Sequence, residues 1–127
     1  NMYMNLKIIL LSAFIMLLLD YFYLTSVSGF FNKLVKNIQG KKIKFRMFGA
    51  IICYIFLIFG LNHFIISQNK SPFEASLLGL VIYGVYDSTN YAIFDKWSLE
   101  ALALDTIWGG VLFYLTTYIT YKLKTII

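Results

Sequence analysis

The segment YGVYDSTNYAIFDKWSLEALALDTIWG, residues 83–109, joins two apolar, helix-compatible runs through a short polar turn at residues 95–98. It holds three of the four aspartates and both tryptophans of the chain. Tyr83, Asp87 and Asn90 stand at i, i+4 and i+7, which puts them in one stripe of a helix. After the turn, Asp105 and Trp108 are spaced i, i+3, while Ala101, Asp105 and Gly109 share a face. Carboxylates set in apolar helices beside a tight turn describe a helical hairpin with a polar interior stripe.

The rest of the chain says what solvent surrounds that hairpin. Sixty per cent of the residues are hydrophobic and 13% charged, against about 25% charged in soluble domains. A water-soluble core of 127 residues cannot hide this much apolar surface, so the excess calls for lipid. No Pro- or Ser-rich linker divides the chain, and residues 1–127 read as one integral membrane domain.

Working outward, the hairpin supplies spans at about residues 74–94 and 99–121, with Glu74 in the first turn of the earlier helix, where its charge suits the helix dipole. Ala75 and Gly79 form a small-xxx-small pair that permits close helix contact. Upstream, residues 47–67 carry no charge between Arg46 and Lys70, and residues 6–24 carry a single late carboxylate, Asp20. One lysine precedes that first run and no A-x-A-type site follows it, so it is expected to remain as a helix. Tyr21 and Tyr23 suit an interfacial belt. The expected fold is all-α: an up-and-down four-helix transmembrane bundle with a basic amphipathic loop between helices 1 and 2.

That loop carries Lys33, Lys36, Lys41, Lys42, Lys44 and Arg46, interleaved with Phe30, Phe31, Leu34, Val35 and Ile38. The pattern predicts a short amphipathic helix lying on the membrane, ended by Gly40, with its cations on anionic lipid headgroups; a nucleic-acid surface fits it less well. The positive-inside rule places the loop in the cytoplasm and both termini opposite. Cys53, alone in an apolar run, is expected to be a buried thiol that forms no internal disulfide, and no Cys/His zinc spacing is present. His63 falls at the far end of its helix from the aspartates and reads as an interfacial histidine.

Alternating helix directions place Asp20, Asp87 and Asp105 at one depth, roughly 6–10 Å inside the basic-loop interface by helix rise. An intramembrane aspartate costs about 2.5–3.5 kcal/mol at a helix centre and normally faces the bundle interior. Three readings of this layer follow. In the first, Asp20, Asp87 and Asp105, with Tyr83, Asn90 and Trp108, form a hydrogen-bonded latch that sets helix register. In the second, the carboxylates bind a proton or a hard cation in a small transporter or channel subunit. In the third, paired carboxylates act in catalysis; a nucleophile and a substrate groove are not apparent, and the chain reads as no enzyme, without cofactor or metal.

The pieces YGVYDSTNYA (residues 83–92), Trp97 after the turn, DTIWG (residues 105–109) and the late acidic Asp20 resemble a family of small membrane proteins known as domain of unknown function 2177. The motif matches Tyr83, Asp87, Thr89, Asn90, Trp97, Asp105, Trp108 and Gly109. The resemblance implies four integral membrane helices and no assigned activity. The composition, rich in Ile, Lys, Asn, Phe and Tyr, has an AT-rich flavour, which leaves a viral or protist setting open. The leading expectation is a structural or accessory subunit of a membrane assembly, of a virion or organelle, packed against other membrane or capsid-type subunits or against itself. The alternative is a proton- or cation-coupled transporter or channel subunit using Asp20, Asp87 and Asp105.

Overall fold

The computed structural model of the chain describes residues 5–40 and 46–126. Four α-helices account for most of them: α1 (Leu6–Gln39), α2 (Met47–Leu61), α3 (Pro72–Ile93) and α4 (Leu99–Leu123). A π-helical turn, Asn62–Ile66, prolongs α2. The helix starts are built from local chemistry. Asn5 caps α1 by accepting from the Lys7 amide. Ser71 accepts from the Glu74 amide, with Pro72 at the first helical position and Glu74 in the first turn. Ser98 accepts from the Ala101 amide at 3.0 Å and starts α4 after a turn of only five residues.

α1 departs from expectation. The predicted membrane helix and the predicted surface helix are one continuous helix of 34 residues. No residue between Leu24 and Gln39 breaks it. The hydroxyls of Thr25 and Ser26 donate back to the Phe22 carbonyl, and that of Ser28 to the Thr25 carbonyl, so they stay within the helix. Gly40 is the first residue to leave, in the left-handed conformation at φ 77°. At 1.5 Å per residue α1 reaches about 51 Å, against a hydrocarbon core of ~30 Å. Its last turns therefore continue beyond a span. There Leu34, flanked by Phe31 and Ile38, packs on Trp97 and Ala101. The apolar face assigned to the membrane surface is covered by the α3–α4 turn instead. Lys33, Lys36 and Arg46 are exposed; Lys41, Lys42 and Lys44 lie outside the described residues.

α1, the α2 stretch Met47–Ile66 and α4 are each long and apolar enough to cross a membrane. α3 is not among them by composition, because Glu74 and the run Asp87, Ser88, Thr89, Asn90 dilute it. It nevertheless follows α4 from end to end. The Tyr121 hydroxyl donates to the Lys70 carbonyl at 2.6 Å beside the start of α3. Gly79 lies on Gly109, Gly84 faces Thr106, and the two helices meet again at the turn. Contacts of Tyr54 with Asp20 and of Asn62 with Ser12 set α2 antiparallel to α1. Contacts of Trp108 with Asp20 and of Ala101 with Leu34 set α1 antiparallel to α4. The bundle is up-and-down.

The outer faces of all four helices are apolar: Phe14, Phe56, Val81, Val85 and Ile107 are each well exposed. Cys53 is also exposed, which corrects its expected burial. Leu57 and Leu61 are buried farther along α2, while Cys53, one turn before Leu57 on the same side, is left uncovered.

The tightest seam is α3 on α4. A Cβ added to Gly79 would collide with the carbonyl oxygen of Gly109 and come within 2.9 Å of the Phe113 Cβ. A Cβ on Gly109 would enter the Tyr83 ring. Such contact between backbones drives helix association where lipid supplies no hydrophobic force. Gly79→Ala and Gly109→Ala should each lower stability by about 1–3 kcal/mol, the usual cost of overpacking. Gly49→Ala should be neutral, since nothing lies within 4 Å of its added methyl. Unfolding of the detergent-solubilised variants checks this; equal effects at the three sites would contradict the seam.

Candidate functional site

Between apolar helices, a carboxylate needs donors from neighbouring helices. Asp20, 6% exposed on α1, has them. Trp108 of α4 donates its indole N–H to Oδ1 at 2.9 Å, and Tyr54 of α2 donates its hydroxyl to Oδ2. One side chain thus ties three helices. Asp105 of α4 is bound in the other direction: the Tyr23 hydroxyl of α1 donates to its Oδ1 at 3.0 Å. The Tyr23 ring lies flat on the Trp108 indole, centroids 4.6 Å apart and planes 2° from parallel. Two hydrogen bonds and a stack therefore join α1 to α4 within one helical turn.

Asp87 on α3 differs. It is fully buried, and neither of its carboxyl oxygens meets a donor group among the described residues. The Asp105 carboxyl lies beside it, within reach of a side-chain hydrogen bond should one of the two carry a proton. Asn90 is buried on the same face, and Tyr83 is half-buried, its ring edge-on to Phe113 with centroids 6.4 Å apart. Thr89 points outward and bonds to the Val85 carbonyl of its own helix.

Below this layer each helix turns apolar, with Met16, Leu57, Leu61, Ala75, Leu112 and Phe113 forming one buried cluster. A second polar layer follows. Asn62 donates to the Ser12 hydroxyl and to the Ile58 carbonyl, both at 2.9 Å, where the π-turn begins. Thr116, Thr117 and Thr120 are fully buried on α4. A shallow groove of about 350 Å³ lies between Ser76, Leu80, Gly110 and Tyr114 and includes none of the carboxylates. No group of three or more His, Cys, Asp or Glu side chains suited to a metal occurs among the described residues. His63 is exposed at the far end, stacked on Phe59 at 5.4 Å, away from the carboxylates.

A family model described as "Predicted membrane protein (DUF2177)" matches residues 5–122. The chain belongs to this family. No curated protein and no solved structure matches it. The family label says membrane protein and names no chemistry, so the roles of individual side chains in this DUF2177 member come from their geometry.

That geometry joins Asp20, Asp105 and Trp108 by hydrogen bonds and stacking, and sets Asp87 against Asp105. It does not bring Lys33, Lys36 or Arg46 to the carboxylates. Two contributors were not picked out from sequence. Tyr23, assigned to the interfacial belt, turns inward to Asp105; its i+3 spacing from Asp20 was the available signal. Tyr54 is the only hydroxyl-bearing residue between Arg46 and Leu61, which was signal enough. Asp20→Ala strands a phenol and an indole N–H and should cost about 1–3 kcal/mol. Asp20→Asn, which still offers one acceptor, should cost less. Denaturant titration of the two variants in micelles gives the order; Ala equal to wild type would remove Asp20 from the packing.

Proposed function

We propose that this DUF2177 protein is a structural or accessory subunit of a membrane assembly, a compact bundle whose carboxylate layer latches the helices in register. The observation carrying this reading is that Asp20 and Asp105 already have their donors inside the protein, from Tyr54, Trp108 and Tyr23 on other helices. The buried apolar layer around Met16, Leu112 and Phe113 also stands between the two polar layers, which argues against a through-route for solutes. α3 crosses with α4 in this reading: its polar stripe faces the bundle, while Val81 and Val85 face lipid. By the positive-inside rule the ends of α1 and α2 that carry Lys33, Lys36 and Arg46 lie in the cytoplasm, against anionic headgroups, with both termini opposite.

The test is reconstitution of the purified protein in vesicles loaded with a pH dye, under imposed proton, sodium and potassium gradients. The expected result is flux no greater than in empty vesicles, together with migration in native gels, after mild extraction, at a mass well above the 14.7 kDa of one chain. Sustained flux that is lost in Asp87→Asn would overturn the structural role in favour of a coupled transporter. In a Cys53→Ser background, a membrane-impermeant maleimide should label Lys96→Cys from the cytoplasmic side; labelling from the opposite side would reverse the orientation.

A further inference from the structure

We infer that Asp87 and Asp105 form a buried proton-binding site, one proton held between the two carboxyl groups. Asp87 is wholly enclosed, and both its oxygens lack a donor group among the described residues. An ionised carboxylate in that position would be a bare charge in a low-dielectric interior, costing far more than the bundle's hydrogen bonds return. The group beside it is another carboxyl. Two carboxylates cannot bond to each other; a carboxyl and a carboxylate can, through one proton. Asp105 suits the acceptor's part. It is half-buried, and its Oδ1 already accepts from the Tyr23 hydroxyl. Asp87 is then the donor, and the bond closes α3 onto α4 next to the glycine seam.

The surrounding groups leave a proton as the ligand. From α1, Asp20 and Tyr23 face this region; Asp20 has both oxygens engaged by Tyr54 of α2 and Trp108 of α4. From α3, Tyr83 adds a neutral phenol. Among the described residues none of Lys, Arg or His is placed to pair with Asp87, and no set of three ligands suits a metal. The site holds whichever role the bundle plays in its membrane.

Infrared spectroscopy of the full chain in lipid, with isotope-labelled aspartate carboxyls, tests this directly. At neutral pH wild type should show one protonated-carboxyl stretch, unmoved by added sodium or calcium. Asp87→Asn and Asp105→Asn should each abolish it, because an amide N–H then donates to the remaining carboxylate. Asp20→Asn and Asp95→Asn should leave it in place. No such band in wild type would overturn the site without recourse to any variant. Its loss on adding a cation, its survival in Asp87→Asn or Asp105→Asn, or its loss in Asp20→Asn would overturn it equally.

Discussion

The bundle depends on how it satisfies Asp20. A carboxylate less than one turn from the midpoint of a 34-residue helix is tolerable only if its oxygens find donors that lipid cannot offer. Tyr54 and Trp108 provide them from two different helices. The arrangement is directional: the indole N–H and the phenol must both arrive at one carboxylate. Rotating α2 or α4 about its own axis, or sliding either by one turn, breaks at least one bond. Apolar packing alone would allow such shifts at little cost, since lipid tails compete on nearly equal terms. Polar contacts at one level therefore set the register for the apolar layers below.

The α3–α4 seam solves a different part of the same problem. α3 is the least apolar of the four helices and has to be held by protein. Gly79 and Gly109 let its backbone approach α4 closely, and the same approach encloses Asp87. Closeness and polarity are thus linked. A wider seam would leave Asp87 partly open to lipid; a seam this close needs a partner for it, and the partner at hand is Asp105.

Much of this was legible from residue type and spacing. Apolar run lengths specified four helices, and alternation of direction put Asp20, Asp87 and Asp105 at one level. Hydrophobic patterning could not tell whether residues 25–39 leave the first helix. Interleaved lysines and apolar residues suit a surface helix and a helix extension alike; the outcome turns on whether Trp97 and Ala101 offer a covering, which is a tertiary fact. The inward turn of Tyr23 was hidden for a similar reason. A tyrosine near a membrane interface is equally at home in lipid headgroups and on a carboxylate. Cys53 was misjudged because an apolar neighbourhood in sequence means burial in a soluble protein, whereas in lipid apolar side chains also stand exposed.

The layering bears on what such a small bundle can do. The carboxylate layer and the layer of Ser12, Asn62 and the α4 threonines are separated by side chains with no exposed surface, Met16, Leu61, Leu112 and Phe113 among them. A conducting protein of this size would have to open that layer, and each helix contributes to it. Moving Leu112 and Phe113 aside would displace α4, and α4 carries Asp105, Trp108 and Gly109, which hold α1 and α3 in place. The same residues that close the core also hold the latch, so opening one means breaking the other. The closed core and the polar contacts are therefore coupled through α4.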